Sequence, residues 1–316
     1  MTQQPGFTAA LAAADRRRFL RSTGAAGLAA SGLMMLSACG GDDDKGSPTP
    51  APTPSASISD VDVLNFALTL EYLEANFYSF AVNGAGLPAD MMTGAGTQGA
   101  ATGGKQVSFT DPAVASYARE IAADELAHVA FLRRVLGSAA VAQPAIDISA
   151  SGAFAAAAKA AKMDPFDPYA DDEAFLLAAF LFEDLGVTAY KGIAPLITNT
   201  PYREATAGIL AAEAYHAGLI RTTLHAKGLA DKAGKLSDAR DKLDGKGDDD
   251  QGIDTNAGGV ANIVPTDDFG IAYSRTPQQV LNIAYLTKDA VAKGGFFPNG
   301  VNGAAALSAS ADSSAG

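Results

Sequence analysis

Two copies of one short pattern, a glutamate followed three positions later by a histidine, are the first candidates for chemistry in this sequence. Glu125 and His128 form one copy, and Glu213 and His216 form the other. On an α-helix, side chains three positions apart lie on the same face. Carboxylate and imidazole are ligand types that divalent transition metals accept. Each pair could therefore bind a metal ion if its segment is helical.

Both pairs interrupt apolar stripes, so the predicted helices would bury them. Burying a carboxylate and an imidazole together is costly unless something compensates their polarity. A pair of divalent metal ions would do so. The stripe residues are Val114, Ala118, Ile121, Leu132 and Val135 around the first pair, and Ile209 or Leu210, Ala217, Ile220 and Leu224 around the second.

Two further segments each supply a glutamate with a tyrosine seven residues later, which is two turns along the same helix face. Glu71 precedes Tyr78 in this way, and Glu183 precedes Tyr190. Along the chain the order is Glu, Glu-x-x-His, Glu, Glu-x-x-His. This order predicts two copies of one helical hairpin joined by a long crossover.

The elements that must position these residues are four helices, predicted at about 60–82, 111–136, 171–198 and 200–227. Asp111, Asp171 or Asp172, and Thr200 are their predicted N-caps. The 83–110 connection is long and Gly-rich, and the next connection contains an Ala-rich segment at 154–162. A short connection makes the last two helices antiparallel neighbours. Beyond them we predict a loop at 228–268, a short helix at 276–286 and a disordered tail at 304–316.

This arrangement resembles the ferritin-like di-iron or di-manganese carboxylate proteins. The resemblance implies an all-α, antiparallel four-helix bundle with a long crossover and a mostly irregular C-terminal extension. It implies two iron ions, or manganese, bound by Glu71, Glu125, His128, Glu183, Glu213 and His216. It also implies that Glu125 and Glu213 bridge the ions, that each histidine binds one ion, and that Tyr78 and Tyr190 support the ligands from behind. YSRTPQQVL at 273–281 and GGFFPNG at 294–300 are similar to the subfamily that includes plant desiccation-related proteins.

The sequence does not decide which of two glutamates in the first helix is the metal ligand. Its predicted polar face consists of Asn65, Thr69, Tyr72, Asn76 and Ser79. Glu74 lies nearly opposite that face, and Glu71 lies about 60° from the centre of the buried side. Burial favours Glu74 as the ligand, whereas the tyrosine spacing and the resemblance favour Glu71.

Other acidic residues are expected outside the metal site. Asp124 and Asp184 adjoin ligands in sequence but point about 100° away from them, which predicts solvated side chains or an outer hydrogen-bonding role. The Asp248–Asp250 run is predicted to be a solvated loop.

The N-terminus is typical of an export signal. Arg16, Arg17 and Arg18 precede Phe19, and a modest apolar stretch follows, which resembles a twin-arginine signal. The stretch ends at Cys39 in a sequence that resembles a bacterial lipobox, although a plain signal peptide is the alternative. We therefore divide the chain into a signal (1–38), a Pro-rich tether (39–59), the bundle (60–227) and an extension (228–316).

Composition restricts the functional class. The 316 residues have a formal charge of −12, which disfavours binding to nucleic acid. Cys39 is the only cysteine, so the sequence allows neither an internal disulfide nor a cysteine-bound iron–sulfur centre.

Two functional hypotheses follow. The first is an exported, lipid-anchored protein of the cell envelope or periplasm, whose metal pair reacts with Fe(II), O2 or peroxide as a ferroxidase or another di-iron oxidoreductase. Its partners would be the export machinery, the membrane through Cys39, and further copies of the chain. The second is a non-catalytic, stress- or desiccation-associated envelope lipoprotein that uses the bundle as a scaffold.

Overall fold

Long helices dominate this protein in a computed structural model, which describes residues 58–247, 249–253 and 261–314. The predicted all-α, four-helix bundle is confirmed, and its long helices extend over 22 to 27 residues. The first five helices in chain order are α1 (Asp60–Asn83), α2 (Pro112–Leu136), the short α3 (Ala153–Ala160), α4 (Asp172–Ile193) and α5 (Thr200–Ala226).

Polar side chains fix where the long helices begin. Ser59, Asp111 and Asp171 cap α1, α2 and α4, each accepting a hydrogen bond from a backbone N–H of the first turn. At α5 the predicted cap was one residue too late. Asn199, not Thr200, accepts this bond, because an asparagine oxygen caps at least as well as a threonine hydroxyl.

The long helices pack as two hairpins. Helix α1 packs along α2, and α4 packs along α5. Only residues 194–199 separate α4 from α5, so these two helices run antiparallel. Residues 137–171, which include α3, form the crossover between the hairpins. A two-residue parallel pairing of β1 (Ala101–Thr102) with β2 (Ile146–Asp147) joins the first connection to this crossover.

The polar face of α1 is covered by these two connections rather than by solvent. Asn65 accepts a hydrogen bond from the N–H of Val141 at 2.9 Å, and the Tyr72 hydroxyl donates to the Val141 carbonyl. Asn76 donates to the Gln143 side chain at 2.8 Å. Helix α1 is consequently buried on almost every side from Val63 to Tyr78, so its polar residues do not mark an exposed face.

The C-terminal extension is more ordered than the sequence predicts. The predicted loop at 228–268 is wrong over its first part, because α6 occupies Ala230–Asp244. Small and apolar residues at helical spacing, Ala233, Leu236 and Leu243, pack inward and stabilise this charge-rich helix. Helix α7 (Pro277–Ala284) lies within the predicted short helix.

The prediction of a disordered tail is wrong for residues 304–314. A 3-10 turn forms at Ala305–Leu307, and Leu307 is buried. Ser310 and Ser313 are also buried, and the Ser313 hydroxyl donates to the Leu243 carbonyl at 2.6 Å. These contacts dock the segment on α6.

A buried network of arginines and aspartates joins the extension to the bundle. Arg240 of α6 pairs with Asp184 of α4 at 2.8 Å and with Asp250 at 2.7 Å. Arg221 of α5 also pairs with Asp184, and Arg275 pairs with Asp250. Asp250 is therefore not solvated, contrary to the prediction, and Asp184 does not have the solvated role that was one of the two predicted for it. Basic side chains distant in sequence neutralise both carboxylates in the interior.

The predicted signal, Cys39 and the tether up to residue 57 lie outside the described residues. In the part of the chain that the structure describes, no helix is both long enough and apolar enough to cross a membrane.

Candidate metal centre

The six side chains singled out by the sequence converge in the middle of the bundle. One group contains Glu71, Glu125, His128 and Glu213, and the other contains Glu125, Glu183, Glu213 and His216. Within each group the potential ligand atoms all lie within 4.8 Å of one another. Each of the four long helices contributes at least one of them.

The first group surrounds the Nδ1 atom of His128. Glu71 Oε2 lies 3.3 Å from this nitrogen, Glu125 Oε2 lies 3.4 Å from it, and Glu213 Oε1 lies 3.8 Å from it. Three helices, α1, α2 and α5, therefore direct a donor atom at one small volume.

The second group surrounds the Nδ1 atom of His216. Glu125 Oε1 lies 3.2 Å from this nitrogen and Glu183 Oε2 lies 3.3 Å from it. Glu125 thus directs one oxygen at each histidine, and both Glu125 and Glu213 belong to both groups. Shared carboxylates are what two adjacent metal ions would require.

The donor atoms of these groups fit a metal because they lack other partners. Buried carboxylates and imidazoles are normally hydrogen-bonded or bound to a metal. Among the described residues, the atoms directed into the cluster have no hydrogen-bond partner: Glu71 Oε2, Glu125 Oε1 and Oε2, His128 Nδ1, Glu183 Oε2, Glu213 Oε1 and Oε2, and His216 Nδ1.

The electrostatics of the cluster also favour positive charge. Burial, together with the charge of Glu125, raises the pKa of Glu213 well above its ordinary value and raises that of Glu71 to about 7. Burial alone would lower the pKa of His128, but the adjacent Glu125 and Glu71 carboxylates outweigh burial and raise it to about 11. Burial would also lower the pKa of His216, but the Glu125 carboxylate helps to raise it to about 12. The cluster therefore attracts protons or metal cations.

Two tyrosines cross between the hairpins to hold carboxylates of the cluster. The hydroxyl of Tyr78 in α1 donates to Glu183 Oε1 in α4, and the hydroxyl of Tyr190 in α4 donates to Glu71 Oε1 in α1. Each tyrosine thus occupies the outer oxygen of a glutamate and leaves the inner oxygen directed at the cluster.

Asp124 lies in the outer hydrogen-bonding position that was one of the two roles predicted for it. Its Oδ2 lies 3.1 Å from Nε2 of His216, and its side chain remains 48% exposed. With Nδ1 directed at the cluster, the Nε2–H group of His216 donates to Asp124, an arrangement that fixes the tautomer of a metal-binding histidine. Its position beside Glu125 in the sequence was the signal for this role.

The cluster is nearest to solvent on its histidine side. The side chains of His128 and His216 are 13% and 7% exposed, whereas those of Glu71, Glu125 and Glu213 are fully buried. The two histidines belong to α2 and α5, which contact each other far less than the helices within each hairpin do. The most exposed edge of the cluster therefore lies between α2 and α5.

The structure places both candidate glutamates of α1 in the interior. Glu71 belongs to the His128 group, whereas Glu74 belongs to neither group. Glu74 is nonetheless buried, and its Oε2 has no hydrogen-bond partner among the described residues. The geometry therefore favours Glu71 in the six-residue set and leaves Glu74 as an additional buried carboxylate.

Comparison with known proteins agrees with this architecture. The Ferritin-like domain family matches residues 59–226. The chain is 29% identical over 269 residues to Ferritin-like catalase Nec2 of Nesocodon mauritianus, covering 78% of this chain and 84% of that protein. It is 30% identical over 243 residues to Desiccation-related protein PCC13-62 of Craterostigma plantagineum, covering 71% and 76% respectively. No solved structure matches it significantly. This chain therefore belongs to the ferritin-like domain family.

Proposed function

We propose that this protein holds two iron or manganese ions in the cluster and uses them to remove hydrogen peroxide. The observation that supports the metal pair most directly is the set of buried donor atoms that have no hydrogen-bond partner among the described residues. Two groups that share Glu125 and Glu213 suit two adjacent ions. Carboxylates and imidazoles without cysteine suit iron or manganese.

When bound, the metal pair would exchange electrons with peroxide and balance the charge of the carboxylates. The residues of the chain hold and shield the site. Burial raises the pKa of Tyr78 and of Tyr190 well above its ordinary value, so both hydroxyls stay protonated and keep donating to the ligands. Asp124 orients the imidazole of His216.

Peroxide is the favoured substrate because one relative is named a ferritin-like catalase. The reaction would consume two molecules of hydrogen peroxide. One accepts two electrons and two protons and becomes two molecules of water. The other gives up two electrons and two protons and becomes O2. The overall reaction therefore needs no external reductant.

The release of O2 from hydrogen peroxide tests this function. We would purify the full chain in mild detergent, load it anaerobically with Mn²⁺ or Fe²⁺, and follow O2 with an electrode. Glu213→Ala with His216→Ala should reduce the rate to background. Glu204→Ala with His225→Ala is the matched control, since it removes the same residue types from exposed positions of the same helix and should retain the parental rate.

A metal-loaded parent that releases no O2 would contradict the peroxide function and would favour the scaffold hypothesis. Equal rates in the two double variants would show that the activity arises outside the cluster.

We also propose that the protein is exported and anchored by a lipid on Cys39, with residues 39–59 as a tether. The support is the arginine cluster before an apolar stretch that ends at the only cysteine. Palmitate labelling in cells should mark the parent but not Cys39→Ser. Lysine in place of Arg16, Arg17 and Arg18 should keep the protein in the cytoplasm. Labelling that persists in Cys39→Ser would contradict the anchor.

A further inference from the structure

Helices α1 and α4 repeat each other around their ligand glutamates, Glu71 and Glu183, as the exchanged tyrosine hydrogen bonds show. One of the differences between the two segments lies beside the cluster. Glu74 lies three residues after Glu71, and the corresponding residue after Glu183 is Gly186. Helix α1 therefore has a carboxylate where α4 has no side chain.

The carboxylate of Glu74 has the surroundings of a metal ligand rather than of an ion-pair partner. Glu74 is only 4% exposed, and its Oε2 has no hydrogen-bond partner among the described residues. Burying such a group is costly unless it is paired or bound to a metal. The charged groups that act on it most strongly are all carboxylates, namely Glu213, Glu125, Glu71 and Glu183.

Glu74 and Glu213 converge beside the backbone of Gly186. The point that a Cβ atom at position 186 would occupy lies 2.1 Å from Glu213 Oε2 and 3.4 Å from Glu74 Oε1. The glycine thus allows two carboxylates from different helices to approach the same part of α4. Because Glu213 belongs to both ligand groups, Glu74 stands beside a ligand that both metal positions share.

We propose that Glu74 is a seventh metal-binding residue, which acts alongside Glu213 rather than in place of Glu71. This inference rests on the two-metal site proposed above. The charges of two divalent ions balance those of the four glutamates in the six-residue set, because both histidines bind as neutral groups. A fifth carboxylate adds one negative charge, so it increases the affinity of the site for cations and favours a pair of metal ions with a higher total charge.

Metal titration of Glu74→Gln in the full chain tests this role, because glutamine keeps the size and removes the charge. We would titrate Mn²⁺ calorimetrically and record the visible absorption of bound Co²⁺, which reports the ligands directly. The parent should bind two ions per chain. The variant should bind one of them ~10–100-fold more weakly and show a changed Co²⁺ spectrum. Glu204→Gln, at an exposed position of α5, should match the parent in both measurements.

The outcomes separate this inference from the function on which it rests. A parent that binds no metal would overturn both. A parent that binds two ions, together with a Glu74→Gln variant of unchanged affinity and spectrum, would overturn the role of Glu74 alone. Glu74→Asp gives a second reading if the glutamine variant does not fold. It keeps the charge but withdraws the carboxylate by one methylene, so a changed Co²⁺ spectrum supports the role and an unchanged spectrum overturns it.

Discussion

The crossed tyrosines show how single residues hold ligand geometry in a buried site. Tyr78 and Glu183 belong to different hairpins, as do Tyr190 and Glu71. Each hydroxyl satisfies one carboxylate oxygen, so the other oxygen remains directed at the cluster. Such outer hydrogen bonds reduce the rotational freedom of a ligand before metal binds. The two hairpins thus depend on each other for ligand orientation.

Replacing Tyr78 by phenylalanine should weaken both the site and the fold. The change leaves Glu183 Oε1 buried without its donor, which costs about 1–3 kcal/mol, and metal affinity should fall ~10–100-fold. Chelator competition for Mn²⁺ and urea unfolding would measure the two effects. Tyr215→Phe is the control because that ring is 80% exposed. If Tyr78→Phe and Tyr215→Phe behave alike, the tyrosine does not hold the ligand.

The candidate site residues could be recognised from the sequence, but the choice between Glu71 and Glu74 as the ligand could not be made from it. The two Glu-x-x-His pairs were recognisable because each interrupts an apolar stripe. Glu71 and Glu74 could not be separated by periodicity, because connections cover the polar face of α1 and nearly all of the helix is buried. Which of two buried glutamates faces the ligands of the other helices depends on packing that local sequence does not encode.

At the scale of elements, the absence of a side chain at Gly186 of α4 leaves room for the Glu213 carboxylate of α5. A Cβ atom there would lie 2.1 Å from Glu213 Oε2, far closer than van der Waals contact allows. Where α4 adjoins the cluster, this glycine lowers the stability of the helix by about 1 kcal/mol relative to alanine.

Gly186→Ala should displace the Glu213 carboxylate and reduce bound metal, although alanine is the better helix former. Gly208→Ala is the matched control, because a Cβ atom at that position of α5 meets nothing within 4 Å. The control should keep its metal and gain about 0.5–1 kcal/mol of stability. Elemental analysis and thermal unfolding would compare the two variants. Full metal content in Gly186→Ala would show that the close approach is not required.

Helix prediction succeeded where caps and apolar spacing agreed and failed where charge obscured the spacing. Helices α1, α2, α4 and α5 have both signals. Helix α6 is rich in lysine and aspartate, and its inward positions include small or charged residues such as Ser237 and Arg240. A helix prediction based on the spacing of large apolar side chains therefore misses α6.

At the scale of the whole molecule, the extension is part of the same folded body as the bundle. Arg221, Arg240 and Arg275 are all almost fully buried and share Asp184 and Asp250 as partners. Asp184 directly follows Glu183 of the cluster, so the network fixes α4 beside the proposed metal site. The sequence could not predict these pairs, because Arg240 lies 56 residues from Asp184 and local periodicity does not report such distant partners.

Arg240→Met should destabilise the whole protein rather than the extension alone. Removing one partner of a buried ion pair leaves an uncompensated charge, at a cost of about 3–5 kcal/mol. Lys242→Met on the same helix is the control. Its exposed pair with Asp238 at 3.5 Å should contribute less than about 1 kcal/mol. Urea unfolding should show one cooperative transition that shifts only for Arg240→Met. A separate early transition would indicate that the extension unfolds independently.

The metal content of the purified chain tests the central claim most directly. After anaerobic loading with Fe²⁺ or Mn²⁺ and removal of excess metal, elemental analysis should find two ions per chain in the parent and in Glu204→Ala with His225→Ala. The cluster variant, Glu213→Ala with His216→Ala, should lose them. A parent that is folded and helical but binds no metal under these conditions would contradict the two-metal site.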